Sequence, residues 1–332
     1  MSLLSPFHPN YYLCRMNLKT NILIALRGLA MGIAEVIPGV SGGTIAFITG
    51  IYERLLAAIK NILGPEVINA LRKGGIRQAW EKIDGIFVVF LLGGMAIGVI
   101  TGVFGVSHLM ENYPKFLWAF FFGLIVASAI FIGRMVKQWG TGEIIALIVG
   151  TGIAFYITVA APAQGTEALW FVFLSGAIAI SALMLPGISG SFVLLLMGMY
   201  TTVIGTVKSL LQNFDAKSLL IVIVFAVGCL TGMATFSRVL TWMFRKYHNQ
   251  TLALLTGFMI GSLNKIWPWR NVLEYRVNSS GERIPFLEKS VLPAQFEGDP
   301  SIPGVLICMV VGFLVVFLIE KLAPAIQDNA KV

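Results

Sequence analysis

Charged residues are scarce in this chain. They make up 12% of its 332 residues, whereas an ordinary soluble domain contains about 25%. Hydrophobic residues make up 57%, and the mean hydropathy is +0.84. This composition excludes a soluble catalytic domain and indicates an integral membrane protein. The hydrophobic runs have the length of helices rather than the short alternation of membrane strands, so we expect an all-α polytopic fold.

Cysteine and histidine are also rare, with three of each. Cys14, Cys229 and Cys308 match no metal-binding or disulfide spacing, and the sequence has no acidic metal cluster. We therefore predict no metal site and no cofactor. The net charge of +8 comes mostly from Lys and Arg in short loops between apolar runs. That distribution is typical of the positive-inside bias of membrane proteins rather than of nucleic-acid binding.

Apolar runs recur along the whole chain, and about twenty such residues are needed to cross a bilayer. The first run lacks the small-residue cleavage site of a signal peptide, and either Met1 or Met16 is the start. Ten hydrophobic segments are predicted, at 20–37, 44–63, 84–110, 115–134, 143–161, 168–185, 192–212, 217–244, 250–268 and 303–322.

One motif occurs twice, as Pro-Gly-Val-Ser-Gly-Gly-Thr at 38–44 and Pro-Gly-Ile-Ser-Gly-Ser at 186–191. Each copy interrupts a long apolar stretch and is followed by Gly-x-Tyr, at 50–52 and 198–200. Proline ends the incoming helix because it lacks an N–H donor, and glycine permits a sharp turn. Broken helices at matching places in two halves of a membrane protein indicate a transporter's binding site.

The two halves match beyond the motif. Pro, Ser, Gly, Tyr and Lys recur with an offset of 148 residues between 38–60 and 186–208. Gly-x-x-Thr-Gly at 98–102 recurs at 228–232 with an offset of 130, which pairs Arg238 with His108. The Gly and Ser of 123–128 then recur with an offset of 134. This ordered series predicts an internal repeat that spans 27–128 and 175–262.

Loop charges set the predicted topology. The positive-inside rule places the basic stretches at 60–82, 134–137 and 245–246 in the cytoplasm. All three can lie there only if the two segments that each motif joins enter and leave the membrane on the same side. We therefore predict two helical hairpins, either re-entrant or fully spanning, in an inverted-topology repeat with cytoplasmic termini. The predicted divisions are an N-terminal cytoplasmic segment (1–19), repeat 1 (20–140), a linking transmembrane helix (141–167), repeat 2 (168–270), an extracytoplasmic loop or small hairpin (271–302), and the last transmembrane helix with its tail (303–332).

The motif residues are predicted to bind an anion. Ser41 and Ser189 are placed to cap the helices that follow, whose first N–H groups are unpaired and carry a positive dipole. Two such ends near the midplane would bind phosphate or carboxylate, whereas the alternative is a pair of tight structural turns. Tyr52 and Tyr200 either hydrogen-bond the headgroup or anchor the chain at the interface. The predicted binding residues are Pro38, Gly39, Ser41, Gly42, Gly43, Thr44, Tyr52, Pro186, Gly187, Ser189, Gly190, Ser191 and Tyr200.

Three charged residues lie within apolar segments: Arg27, Glu35 and Arg238. Each costs at least ~2.5 kcal/mol to insert, so such residues tend to be paired or functional. The arginines are predicted to bind the phosphate, since a guanidinium offers a bidentate fork; an Arg27–Glu35 salt bridge and a snorkelling Arg238 are the alternatives. Glu35 is a candidate proton carrier, and His108 is a second candidate that an interfacial role would also explain.

The doubled motif, with Gly-Ile-Tyr at 50–52 and Gly-Met-Tyr at 198–200, resembles that of the bacterial polyprenyl-phosphate transporters, formerly a domain of unknown function. The resemblance covers about 20–325 of the chain. It implies a flippase that moves undecaprenyl phosphate from the outer to the inner leaflet of the cytoplasmic (inner) membrane, where the carrier lipid is recycled for cell-wall biogenesis. The residues by themselves indicate only an anionic headgroup.

Two other functions stay open at this stage. Glu35-x-x-Pro-x-x-Ser41 also resembles a stretch of the membrane undecaprenyl-pyrophosphate phosphatases, whose second motif is Pro-Gly-x-Ser-Arg-Ser-Gly. Here Ser189 is followed by Gly190 instead of arginine, and no second carboxylate is near, which argues against phosphoryl transfer. A small-anion transporter or channel would use the same helix ends. We predict a transporter with alternating access rather than an enzyme.

Overall fold

The computed structural model describes residues 18–37, 40–160, 163, 165–277 and 283–328. Within these ranges the chain forms thirteen α-helices and one antiparallel hairpin, which confirms a mostly helical fold. The helices are α1 (Leu18–Glu35), α2 (Gly42–Ile48), α3 (Tyr52–Ile62), α4 (Pro65–Lys82), α5 (Gly85–Asn112), α6 (Pro114–Met135), α7 (Thr141–Val159), α8 (Leu169–Leu183), α9 (Gly190–Leu196), α10 (Tyr200–Asn213), α11 (Ala216–Lys246), α12 (His248–Ser262) and α13 (Ile302–Asp328), and the strands are β1 (Arg270–Val277) and β2 (Arg283–Ser290).

Several helices have the length and composition of membrane spans. Among the described residues, α5, α6, α7 and α11 qualify singly, and the bent pairs α2/α3 and α9/α10 raise the number to six if each pair is one span. The chain is therefore a multi-pass membrane protein. Each of the ten predicted apolar segments contains helix, but ten crossings stay a prediction.

The apolar segment that follows each Pro-Gly-x-Ser-Gly motif is bent. α2 and α3 meet at 120°, and α9 and α10 meet at 106°. The bends lie at Gly50 and Gly198, whose φ angles of +73° and +68° are ones that other residues rarely adopt. Continuous helices over 44–63 and 192–212 are therefore wrong, because the Gly-x-Tyr after each motif ends a short helix and starts another.

Both halves repeat one kind of helix packing. α1 packs on α5, and α8 packs on α11. Each pair meets at glycines that lie directly against the partner's backbone, as small residues allow in membrane helices. The contacts join Gly94 to the carbonyl of Ala25, Gly98 to that of Leu29, Gly228 to that of Phe173 and Gly232 to that of Ala177.

These glycine contacts show which residues of the two halves occupy corresponding places. Ala25 and Phe173 are separated by 148 residues, as the motifs are, whereas Gly94 and Gly228 are separated by 134. The predicted offset of 130 for 98–102 is therefore wrong by about one helical turn. Glycines recur every four residues here, so a shift of four still aligns glycine with glycine. An offset of 134 then holds from α5 through α6.

The stretch predicted as a basic loop at 60–82 is largely helical, and this correction adds α4 to the fold. A kink at Gly75 divides the helix. The sequence did not predict this helix, because the pair Gly74-Gly75 and the many charges interrupt its apolar residues. Those residues are exposed rather than packed: Ile68, Leu71, Ile76 and Trp80. Exposed apolar side chains beside many Lys and Arg are typical of segments that lie at a membrane interface.

The predicted extracytoplasmic stretch contains the β1–β2 hairpin, the second of the two forms expected for it. Two tryptophans join this hairpin region to the helices. The indole N–H of Trp267 donates to the carbonyl of Val291 at 2.8 Å, and that of Trp269 donates to the carbonyl of Pro300 at 2.9 Å. Trp269 is also buried against Ala119 of α6 and Val305 of α13, which holds the hairpin against the bundle.

The main hydrophobic core surrounds α2. All seven residues of this helix are buried, and Phe47 stacks near Tyr52 and Phe244 of α11. The polar turn before α2 therefore lies in a dry environment, where its hydrogen-bonding groups need partners.

Candidate functional site at the paired turns

The first turn joins α1 to α2. Glu35 ends α1, and its Oε1 accepts a hydrogen bond from the N–H of Gly42 at 2.7 Å. The Oγ of Ser41 accepts from the N–H of Gly43 at 3.1 Å, so Ser41 caps α2. The N–H of Thr44 donates to the carbonyl of Ser41. The carboxylate of Glu35 thus occupies the place predicted for an external anion. Pro38 and Gly39 lie outside the described residues.

Three side chains of the first half hydrogen-bond directly to the second turn. Ser41 and Thr44 are 0% exposed and Tyr52 is 3% exposed, so these bonds are shielded from solvent. Together they join the two turns into one buried polar centre. The Oγ of Ser41 lies 3.3 Å from the carbonyls of Leu183 and Leu185, the N–H of Gly187 donates to Oγ1 of Thr44 at 3.0 Å, and the hydroxyl of Tyr52 donates to the carbonyl of Met184 at 2.6 Å.

The second turn is built differently. Ser189 stands at the N-cap of α9, but its side chain forms no capping hydrogen bond. Its Oγ lies instead 2.9 Å from that of Ser191. Pro186 and Gly190 are buried, while Ser191 is exposed. The equivalent of Glu35 in this half is Leu183, so no carboxylate of α8 closes the turn.

The two tyrosines also differ. Tyr52 is buried within the core, whereas Tyr200 begins α10 and is half-buried. The hydroxyl of Tyr52 donates across the turns to the carbonyl of Met184. The two tyrosines therefore occupy equivalent positions in the sequence but have different surroundings in the structure.

Arg27 does not reach Glu35. Both belong to α1, eight residues apart, which is about 12 Å along a helix. Within the described residues no salt bridge joins them, and Arg54 adds a like charge in the neighbourhood of Arg27. Arg54 itself forms a bidentate pair with Asp84 at 2.6 and 3.0 Å. Arg27 is thus a half-buried cation on the helix that leads to the first turn.

Arg238 lies in a different place from the paired turns. Its guanidinium donates to the carbonyls of Ala234 and Leu63 at 2.7 and 2.9 Å. Together with Lys60 it lines a cleft between α3 and α11 to which no motif residue contributes. With the corrected offset of 134, its counterpart in the first half is Phe104, not His108.

Comparison with known proteins identifies the family. A family model described as VCA0040-like, undecaprenyl phosphate translocase-like, matches residues 31–284. The chain belongs to this family. It is 43% identical over 302 residues to a polyprenyl-phosphate transporter of Vibrio cholerae, which covers 90% of this chain and 96% of the relative. It is 29% identical over 256 residues to a polyprenyl-phosphate transporter of Staphylococcus aureus, covering 73% and 85%. No solved structure matches.

His108 is exposed near the end of α5. Its carbonyl accepts a hydrogen bond from the side-chain amide of Asn112 at 2.8 Å, and the same amide lies 3.3 Å from its Nδ1. These contacts are local to one helix end. They do not connect His108 to either turn.

The sequence analysis missed Lys265, which lies beside the second turn. It lines a narrow cleft with Gly187, Ser189 and Ser262, and its Nζ is 4.3 Å from the centre of the Phe192 ring. The signal was available, because Lys265 is the one charged residue in the predicted segment 250–268.

Lys265 belongs to a half-buried charged cluster at the base of the β1–β2 hairpin. Glu288 accepts from Arg270 at 3.1 Å and lies 3.9 Å from Lys265. Two cations thus share one carboxylate. Lys265 lies after the end of α12, outside the candidate membrane helices, and burial with the nearby Arg270 lowers the pKa of its ammonium to about 8, although Glu288 opposes this shift. In the described part of the chain, no group of three or more His, Cys, Asp or Glu is arranged to hold a metal ion.

Proposed function

We propose that this protein is a translocase that moves undecaprenyl phosphate, or a similar polyprenyl-phosphate lipid, from the outer to the inner leaflet of the bacterial cytoplasmic membrane. The observation that carries this proposal is the direct contact between the two Pro-Gly-x-Ser-Gly turns inside a membrane protein. The family and the names of the two relatives support the substrate. Their names also favour transport over hydrolysis.

The proposed cycle is alternating access in an inverted repeat. The matched packing of α1 on α5 and of α8 on α11 supports two related halves, and transporters of this kind bind substrate where the halves meet. In the described conformation the cross-turn hydrogen bonds close the centre. Access therefore requires the turns to separate, first towards one leaflet and then towards the other. We place both termini in the cytoplasm and the β1–β2 hairpin outside, following the positive-inside rule.

The headgroup site is proposed to form from the two turns when they part. The phosphate oxygens would then take the N–H of Gly42 from Glu35 and accept from the hydroxyls of Ser41, Ser189 and Thr44. Such charge-assisted bonds are stronger than those between neutral groups. Arg27, as the cation on α1, would offset the phosphate charge.

Glu35 is proposed to couple this exchange to a proton. Its carboxylate and the phosphate cannot both occupy the end of α2, because like charges at such short range repel strongly. Proton uptake by Glu35 would release the N–H of Gly42 to the lipid. His108 stays a second candidate for proton transfer. The prenyl tail would remain in the bilayer while the headgroup crosses.

The decisive experiment uses the purified protein in liposomes. The exchange of a fluorescent polyprenyl phosphate between leaflets is followed while phosphate release from the pyrophosphate form is assayed in parallel. We expect leaflet exchange without phosphate release. Phosphate release without exchange would instead identify the turns as a catalytic site and contradict the proposal.

A further inference from the structure

A strongly basic cleft of about 470 Å³ lies between α3 and α11, away from the paired turns. Four of its six lining residues are cationic and none is acidic. The two others are a hydroxyl residue and an aromatic residue. The lining residues are Lys60, Arg238, Thr241, Trp242, Arg245 and Lys246.

Two cations of this cleft, Arg238 and Lys246, are oriented by neutral groups. Arg238 is fixed by two backbone carbonyls, those of Ala234 and Leu63. Lys246 lies 5.8 Å from the ring centre of Trp242 and 5.3 Å from that of Tyr247. Among the described residues, no carboxylate forms a salt bridge with Lys60, Arg238 or Lys246. A carbonyl or a ring orients a cation without cancelling its charge.

The cleft also opens onto an apolar surface. Trp242 is 52% exposed at its edge. Two further exposed apolar residues of α11, Val239 and Val227, continue from it along the helix. At 3.6 residues per turn, both positions lie within about 60° of Trp242 around the helix. A ligand with an anionic head and a long apolar tail could place its head in the cleft and its tail along α11.

We propose that this basic cleft is a second headgroup site, distinct from the paired turns, that binds the phosphate monoester of the polyprenyl lipid at the cytoplasmic surface. This inference rests on the proposed function. A guanidinium fork with two lysines and a further arginine suits a dianionic monoester better than the singly charged phosphodiester of a bulk phospholipid. The site would receive the headgroup after the turns release it.

The neighbouring α4 supports the placement at a membrane surface. Its kinked helix exposes apolar residues and also carries Arg72, Lys73 and Arg77. Because α4 follows α3 directly, the basic cleft and this helix lie near the same end of α3. The exposed cations of α4 also provide a matched control, since they add charge to the same region without lining the cleft.

The test counts lipids bound to the full-length protein in detergent by native mass spectrometry. The probe is farnesyl phosphate, with farnesol, inorganic phosphate and phosphatidylglycerol as comparison ligands. The cleft variant is K60Q/K246Q, and the control R72Q/K73Q removes the same charge from exposed positions on α4. Leaflet exchange of a fluorescent polyprenyl phosphate is measured for each variant, and equal unfolding midpoints show that both variants fold.

We expect K60Q/K246Q to retain one farnesyl phosphate fewer per chain than the wild type, and R72Q/K73Q to retain the wild-type number. Farnesol and phosphatidylglycerol should not distinguish the variants, and inorganic phosphate should bind more weakly than the lipid. An unchanged number in K60Q/K246Q, or equal losses in both variants, overturns the cleft site but leaves the proposed translocase intact if exchange persists. A wild-type protein that neither binds nor exchanges the lipid overturns both.

Discussion

At the scale of single residues, Glu35 has two roles in one position. It caps α2 through the N–H of Gly42, and it is the charge that an incoming phosphate would have to replace. A glutamine at this position keeps an oxygen that can accept the hydrogen bond, but it removes the charge and the titration. The substitution therefore separates the structural role from the proposed coupling.

We expect E35Q to keep headgroup binding and to lose pH-driven transport. The loss should be about tenfold or more, as is typical when a positioned proton-transfer group is removed. Leaflet exchange in liposomes with an imposed pH gradient measures it, and E81Q, an exposed glutamate of α4, is the control. An unaltered rate in E35Q would exclude Glu35 as the proton carrier.

Lys265 leads to a prediction about pH. The pKa of its ammonium is about 8 in the folded protein, below the ~10.4 of an unfolded chain. The folded state therefore releases this proton first, and the free energy of unfolding rises as the pH increases from about 8 to about 10, by on the order of 1 kcal/mol. K265Q should lack this rise.

Unfolding midpoints in detergent between about pH 7.5 and pH 9.5 measure this effect. K289Q removes an exposed lysine from the same hairpin and should keep the wild-type profile. If K265Q and the wild type have parallel profiles, the low pKa of Lys265 is refuted.

The sequence identified most single residues of the centre but not their partners. Ser41, Thr44 and Tyr52 were selected because they belong to a repeated motif, and they do lie together. Arg238 was assigned to the same centre only because it is a charge in an apolar segment. Its position in a separate cleft depends on how α3 packs on α11, which no local pattern specifies.

At the scale of elements, the bends of α2/α3 and α9/α10 rest on two glycines with unequal surroundings. A Cβ on Gly50 would meet no atom within 4 Å, whereas one on Gly198 would overlap the carbonyl of Ala163 and the backbone of Gly165. G50A should therefore cost only the backbone strain, about 1 kcal/mol. G198A adds a steric clash and should cost several times more.

Thermal unfolding midpoints of the two variants in detergent test this difference. G205A is the control, because Gly205 lies within α10 and a Cβ there also meets no atom within 4 Å. It should be neutral or slightly stabilising. Equal midpoints for G50A and G198A would contradict the described packing of α9.

Helix existence was predictable for most elements, and helix continuity was not. Apolar length predicts a helix in each of the ten segments, since such runs need internal hydrogen bonding in lipid. Gly-x-Tyr gave no warning of a bend because glycine is common and tolerated in membrane helices. α4 was missed because it is more polar than the apolar segments. Its apolar residues are exposed and do not form a buried face.

At the scale of the whole molecule, the halves are joined by hydrogen bonds from Ser41, Thr44 and Tyr52 to the second turn. T44V keeps the side-chain volume but leaves the N–H of Gly187 buried without its acceptor. Such an unsatisfied group costs about 1–3 kcal/mol, so the unfolding midpoint should fall by several degrees.

T101V is the matched control for this prediction. Thr101 is exposed on α5, and its hydroxyl bonds only within its own helix, to Ile97 and Gly98. Its substitution should leave the midpoint nearly unchanged. A similar fall in both variants would show that the hydrogen bond between the turns contributes nothing beyond a helical threonine.

The internal repeat stays a prediction, and one of its offsets was not predictable from the sequence. The offset of 148 rests on a motif of unlike residues and agrees with the contacts of α1 and α8. The offset of 130 rested on glycines that recur every four residues, and such a ladder aligns equally well one turn away. Only the pairing of each glycine with a particular carbonyl distinguishes the two registers.

The glycine contacts have a consequence for how the molecule can move. Where Gly94 and Gly98 lie against the carbonyls of α1, and Gly228 and Gly232 against those of α8, no side chain separates the backbones. If one helix of a pair slid along the other, the residue next to each glycine would reach a backbone contact that has room for only a hydrogen atom. Packed cores resist such continuous deformation. We therefore expect α1 with α5, and α8 with α11, to move as two rigid helix pairs. Relative movement of the pairs would then be concentrated in the few backbone bonds where the two turns meet.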